Sequence, residues 1–296
     1  MDISDAAQVL AGFLPASEFF VGIDSDGCVF DTMEIKQKEC FAPCFIKHFG
    51  LQAVSKYARE VWEFVNLYSK TRGVNRFPAL SNALNLMAEH PHVQARGVAV
   101  LGSDDLDAWL AGETIYTNAT LEAAIRDGHD ELQGILDWSL AVNQAIRDMV
   151  FGVPPFPGVR DSLDRLHGLA DMMVISQTPT EALQREWDEN NLASYVQVIA
   201  GQEMGSKTQH LKLGAGGKYA PRHVLMVGDA PGDFKAAKLN NALFYPIIPG
   251  REEESWARLV DEAIDRFTSD QYAGDYETAL IEAFNQGLPE RAPWQI

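Results

Sequence analysis

Cysteine is scarce, with three in 296 residues, at Cys28, Cys40 and Cys44. Three thiols cannot all pair with one another, and no Cys-x-x-Cys or Cys/His zinc spacing occurs. A disulfide-stapled scaffold and a zinc module are therefore excluded, and reduced thiols in a cytoplasmic protein are expected. Cys40 and Cys44 share helical spacing with Phe41, Phe45 and Phe49, so they read as packing residues. Basic residues are also few: 24 Lys and Arg stand against 42 Asp and Glu, a net charge of −18. That balance argues against a non-specific nucleic-acid binder, which needs basic surface for phosphates. No run approaches the roughly 20 apolar residues of a membrane span. The first twenty residues carry Asp2 and Asp5 where a secretory signal would be basic. Repeats and low-complexity segments are absent too.

What is present is ordinary globular composition, 46% hydrophobic and 22% charged. It suits one to two domains with a sizeable core. Five short apolar runs stand out: 19–23, 172–175, 195–200, 224–227 and 243–248. Continuous runs of this length read as strands buried on both faces, as in a parallel sheet. Helical patterns over 159–169, 180–190 and 234–240 lie between them, so an α/β sheet with crossover helices is expected. Asp24, Asp26, Ser176 and Asp229 follow the C-terminal ends of these runs, the rim where open α/β sheets bind ligands.

Residues 33–151 differ. Tyr57, Val61, Trp62, Phe64, Val65 and Tyr68 have helical spacing, and 132–150 forms a long helical pattern. A mostly helical insertion is expected, closed by the Pro-rich stretch Val153-Pro154-Pro155-Phe156-Pro157-Gly158. The expected division is therefore a core of 1–32 and 152–296 and a helical cap of 33–151. Two further helical patterns, 252–267 and 272–284, could cover either the sheet or the domain junction.

The strongest chemical signal is Asp24-Ser25-Asp26-Gly27 after the first run. Two carboxylates so close repel one another unless a cation lies between them or one is protonated. A carboxylate beside Mg²⁺ can attack phosphorus, and its neighbour can shuttle the proton. With this pattern the chain resembles the haloacid dehalogenase superfamily, whose first motif is an apolar strand followed by Asp-x-Asp-Gly. Val174-Ile175-Ser176 resembles the second motif and Lys207 the third. Gly228-Asp229-Ala230-Pro231-Gly232-Asp233 resembles the fourth, and Phe156-Pro157-Gly158-Val159 the segment re-entering the core.

The resemblance implies a Rossmann-like core and a Mg²⁺-dependent reaction through an aspartyl-phosphate. Asp24 would be nucleophile and metal ligand, and Asp26 general acid/base, with its carbonyl on the metal. Ser176 would bond a phosphoryl oxygen and Lys207 would neutralise charge. Asp229 would ligate Mg²⁺, and Asp233 would bind it through water or orient Lys207. Each has a plainer reading. Asp24, Asp26 and Asp229 could be turn or capping residues, Ser176 and Asp233 helix caps, and Lys207 a surface lysine with Lys212 and Lys218 as rivals. Dehalogenase and phosphonatase branches lack an Asp matching Asp26, which favours a phosphatase or phosphomutase.

Asp24 and Ser176 are 176 − 24 = 152 positions apart, and Ser176 and Lys207 only 207 − 176 = 31. The insertion therefore lies in the first interval, as in the β-phosphoglucomutase and phosphoglycolate phosphatase type of the superfamily. Such caps close over the site and exclude water. Residues 64–88 hold no acid but do hold Lys70, Arg72 and Arg76, where 42 in 296 would place about 3.5 acids in 25 positions. Arg72 and Arg76, with Gln177, are the candidate substrate contacts. The expected function is hydrolysis of a small phosphorylated metabolite, a sugar phosphate or phosphoglycolate-like ester. A phosphomutase is the alternative reaction, and a non-catalytic binding protein on the same fold the alternative class. The −18 is compatible with an anionic substrate, because Mg²⁺ and Lys207 would reverse the local field.

Overall fold

Five of the short apolar runs become the strands of one sheet in the computed structural model, which describes residues 5–295. The strands are β1 (Phe19–Ile23), β2 (Ala170–Ile175), β3 (Val198–Ala200), β4 (Val224–Gly228) and β5 (Leu243–Pro246). Their order is β3-β2-β1-β4-β5, and every pairing is parallel. All residues of β1 and β2 are buried, which explains their uninterrupted hydrophobicity. Helices Val159–Leu166, Thr180–Glu189, Lys207–Gly214 and Pro231–Leu239 alternate with the strands. The run 195–200 yields only three strand residues, because 193–195 turns as a 3₁₀ segment first.

The chain forms two compact units. Residues 5–32 and 152–287 make the sheet unit, and 33–151 with 288–295 the helical unit. The division falls between Phe151 and Gly152, and the residues after Gly287, read above with the core, group with the helical unit. Their apolar residues explain this: Ala292 and Trp294 pack into the helical core, and the Trp294 and Phe64 rings lie 5.5 Å apart. The backbone N–H of Lys70 also donates to Pro289 O at 3.2 Å. Trp62, Trp138, Phe45 and Phe77 are fully buried at that unit's centre.

The C-terminal helical patterns cover the sheet. Helices Glu252–Arg258 and Ile264–Thr268 flank a π-helical stretch, Leu259–Ala263, and bury Trp256, Leu259, Ile264 and Phe267 in the sheet cluster. Helix Asp275–Gly287 guards the edge strand. The Glu277 carboxylate accepts from Phe244 N at 3.0 Å, and Tyr272 OH donates to Phe244 O at 2.7 Å. These bonds satisfy backbone groups of β5 that would otherwise invite another strand. Among the described residues no helix is long and apolar enough to cross a membrane, and the three cysteines form no disulfide.

Candidate active site

The strand order places β1 between β2 and β4, where successive connections leave in opposite directions. In open α/β sheets the crevice beyond the strand ends at such a point takes the ligand. Asp24 follows β1 there, and its backbone N–H still donates to Val227 O of β4 at 3.0 Å. The residue is 3% exposed. Oδ1 accepts from Ser25 N at 2.8 Å, and Oδ2 lies 2.7 Å from Lys207 Nζ. The chain then reverses at Gly27, whose φ of 77° falls in the left-handed region.

Lys207 is not a surface lysine. It opens helix Lys207–Gly214, and its ammonium also sits 2.7 Å from Asp233 Oδ1. Ser206 and Gln209 form a reciprocal cap that fixes this helix start: Ser206 Oγ accepts from Gln209 N and Gln209 Oε1 from Ser206 N. The rival Lys218 is occupied elsewhere, donating to the carbonyls of Leu10, Ala11 and Phe13. Asp233 both caps its helix and pairs with Lys207, since Oδ2 accepts from Ala230 N at 3.0 Å.

Asp24, Asp229 and Asp233 are all buried and offer oxygens within 4.8 Å of one another. Burial first, with Asp233 and Asp229 adding repulsion, pushes the Asp24 carboxyl well above the usual carboxylate range despite Lys207. Burial also raises Asp233. Burial pulls Lys207 down, but Asp233, Asp24 and Asp229 overcome it and hold the ammonium charged. Three carboxylates and one ammonium leave an excess of two negative charges when all are ionised. A hard divalent cation with oxygen ligands fits this set.

Asp26 is held differently. Its Oδ1 accepts from Thr32 Oγ1 at 2.6 Å and Oδ2 from Thr178 Oγ1 at 2.7 Å. Neither threonine was among the expected site residues, and only Thr178, two positions past the second motif, carried any sequence signal. Ser176 follows β2 and is buried, with Oγ accepting from Thr178 N at 3.2 Å. It does not cap the next helix, whose N-cap is Pro179. The Gln177 amide donates to Ser176 O and, at 2.9 Å, to Gly205 O, tying the second motif to the loop before Lys207.

Arg72 and Arg76 lie in the helical unit. Arg72 is buried and donates to Leu67 O at 3.0 Å. Arg76 donates to Ser139 O, Ser139 Oγ and Asn143 Oδ1 and lies over the Phe41 ring, and burial pulls it down to about 10. Substrate contact from either side chain would require breaking these bonds.

Two tests arise here. Gly228 leaves no room for a side chain, because a Cβ would stand 2.4 Å from Asp233 Cβ and Cγ. Gly228→Ala is expected to displace Asp233, costing about 1–3 kcal/mol and most of the turnover. Wild-type turnover in this variant would refute the close-approach argument. His210, one turn past Lys207, is fully buried. Its ring nitrogens face the Gly201 and Gly205 backbone without a hydrogen bond of normal geometry. Burial first, then Lys207, pulls it down to about 4. The folded state thus binds this proton more weakly than the unfolded chain. Its stability is full above about pH 6.5 and falls as pH drops toward 4, by roughly 3 kcal/mol. Urea titrations of His210→Leu across that window should show a shallower acid decline, and an equal decline would refute it.

Residues 114–245 match the model of the family described as haloacid dehalogenase-like hydrolase. The match takes in Ser176, Lys207, Asp229 and Asp233 but stops short of Asp24. No curated protein matches the chain. Among solved structures, a candidate phosphoglycolate phosphatase from Lactobacillus delbrueckii subsp. bulgaricus is 14% identical. It covers 87% of this chain and 100% of its own, with a TM-score of 0.49. A haloacid dehalogenase-like family hydrolase from Xanthomonas campestris is 11% identical over 88% of this chain and 98% of its own, with a TM-score of 0.44. Over residues 114–245 the chain is similar to the haloacid dehalogenase-like hydrolases, and the residues singled out in the sequence lie at the ends of its parallel strands.

Proposed function

We propose that the chain is a Mg²⁺-dependent phosphatase acting on a small phosphorylated metabolite. One observation carries the reading. A buried carboxylate, Asp24, is paired at 2.7 Å with the Lys207 ammonium and lies within 4.8 Å of the carboxylate oxygens of Asp229 and Asp233. Asp24, Asp229 and Asp233 would hold the metal, with the Asp26 carbonyl. The metal supplies charge neutralisation at the phosphoryl oxygens.

Asp24 attacks phosphorus, the bond to the leaving oxygen breaks, and an aspartyl-phosphate forms. Asp26 gives its proton to the leaving oxygen, then takes one from the water that attacks the aspartyl-phosphate. Phosphate leaves and the Asp24 carboxylate returns. Thr32 and Thr178 suit this exchange. A hydroxyl donates to the carboxylate and can rotate to accept from the carboxylic acid, so both protonation states keep their partners. Lys207 and Ser176 Oγ stabilise charge on the equatorial oxygens. Three cysteines without a disulfide support a reducing, cytoplasmic setting.

The test is phosphate release from a panel of phosphorylated metabolites, with Mg²⁺ and with EDTA. Release that needs Mg²⁺ and favours a small ester is expected. No release from any ester, p-nitrophenyl phosphate included, would sink the reading. Hexose-phosphate isomerisation outrunning release would convert it to a mutase.

A further inference from the structure

Two buried tryptophans reach the loop that carries Asp24 and Asp26 from elements outside the motifs. Trp187, in helix Thr180–Glu189, is fully buried, and its Nε1 donates to Ser25 Oγ at 3.0 Å. Ser25 Oγ in turn donates to Glu186 Oε2 at 3.4 Å. Trp256, in helix Glu252–Arg258, is 1% exposed, and its Nε1 donates to Cys28 O at 2.8 Å. A buried indole N–H needs an acceptor, and these two find theirs on one short turn. Each spends a single directional donor on the same loop.

The loop depends on such outside bonds. Ser25 O is used within it, accepting from Val29 N at 2.9 Å and Phe30 N at 3.2 Å, and Gly27 N donates to Phe30 O. Cys28 O has Trp256 as its donor in a buried site, where an unpaired carbonyl would be costly. Trp187 also packs edge-on against Phe30, 6.0 Å between ring centres. Both ends of the turn are thereby gripped. Trp256 further abuts the returning segment: a Cβ on Gly158 would stand 3.1 Å from Trp256 Cβ, and Phe156 N donates to Val29 O at 2.9 Å. Trp256 is itself held, because its neighbour Ser255 accepts from Tyr245 OH with its carbonyl and from Ile248 N with Oγ. The chain of contacts runs from β5 through Ser255 and Trp256 to the turn between Asp24 and Phe30.

We propose that Trp256 and Trp187 are positioning residues, whose indole N–H bonds to Cys28 O and Ser25 Oγ set the geometry of Asp24 and Asp26. The catalytic part of this inference rests on the phosphatase reading. Helix Glu252–Arg258 therefore takes part in the chemistry through the loop, beyond covering the sheet. A shift of the two carboxylates by a fraction of an ångström is enough to lower turnover without weakening binding.

The experiment compares full-length Trp256→Phe, Trp187→Phe and Ser25→Ala with the parent protein. Phenylalanine keeps a buried ring and removes the N–H. Ser25→Ala removes the acceptor of Trp187 and leaves both tryptophans in place, so it serves if Trp187→Phe fails to fold, and Trp256→His, which keeps a ring N–H, shows whether Trp256→Phe acts through the lost donor. Amide hydrogen exchange of residues 24–31 is read beside β2 and β4, with kcat and KM for p-nitrophenyl phosphate in Mg²⁺. Exchange in 24–31 is expected to quicken about tenfold while β2 and β4 stay protected, and kcat to fall about tenfold at unchanged KM. Exchange unchanged in 24–31, or raised equally throughout the sheet, overturns the inference, as does a rise in KM with kcat kept. If the parent protein hydrolyses no ester, the phosphatase reading is what fails, and the exchange pattern alone decides the positioning of the loop.

Discussion

Asp24→Asn removes turnover and leaves the metal-free protein at least as stable as the wild type. The two halves of that result have different causes. An amide is not a nucleophile toward phosphorus, so the covalent route closes, and a fall in kcat on the order of 10⁴ or more is expected. The amide keeps an oxygen for Ser25 N, which now donates to Asp24 Oδ1. It removes a charge that burial, Asp233 and Asp229 all disfavour against Lys207. The sign is fixed by the direction of that shift. A carboxyl raised in the folded state holds its proton more tightly there than in the unfolded chain. The ionised form is therefore the costly one at neutral pH, and a neutral isostere relieves it. Lys207 keeps its second partner, Asp233. On the proposed metal site, adding Mg²⁺ should reverse the order, because binding would stabilise the wild type and the variant would lack one of the ligands. Thermal melts in EDTA and in Mg²⁺, beside turnover, check both halves. Turnover within tenfold of wild type would end the nucleophile assignment. A lower melting temperature in EDTA would end the electrostatic account.

The parts of this site legible in the sequence are those tied to a strand end. Strands buried on both faces show as unbroken apolar runs, so the polar residue after each run, Asp24, Ser176 or Asp229, marks the rim directly. Lys207 follows a helix cap, Ser206-x-x-Gln209, that local chemistry also writes plainly. What bonds to Asp26 was not legible. Thr32 and Thr178 lie six and 152 positions away, with no periodicity linking them to it, and only the folded sheet brings them together. Arg72 and Arg76 differ in another way. An acid-free stretch with three bases suggests an outward basic loop, yet both arginines bury their heads against carbonyls of their own unit. Charge content along a chain carries no information about which side chains turn inward. Residues 288–295 escaped the domain division for a related reason: a single Trp and an Ala, without periodicity, are enough to join the helical core.

Lys207→Met is expected to cost more stability than any other single change at the site. The Lys207 side chain is 15% exposed, and its ammonium stands 2.7 Å from both Asp24 Oδ2 and Asp233 Oδ1. Without it, three buried carboxylates with oxygens within 4.8 Å of one another lose the ammonium that pairs with Asp24 and Asp233. Breaking one side of a buried ion pair typically costs about 3–5 kcal/mol, because the remaining charge is left uncompensated. The loss should be largest in EDTA and smaller in Mg²⁺, which restores positive charge to the cluster. Turnover should fall by about 10²–10³ even when Mg²⁺ holds the fold, since a donor to the developing negative charge is gone. Arginine should not rescue it, because a planar guanidinium cannot place one nitrogen 2.7 Å from both carboxylates in the space of an ammonium. The double variant Asp24→Asn, Lys207→Met separates electrostatics from packing. Neutralising Asp24 removes part of what Lys207 compensates, so the two changes should combine to less than their sum, by about 1–3 kcal/mol. Strict additivity in urea melts would mean that Lys207 stabilises the fold by its stem and not by its charge. A coupling present in EDTA and reduced in Mg²⁺ would tie the lysine and the metal to the same three carboxylates.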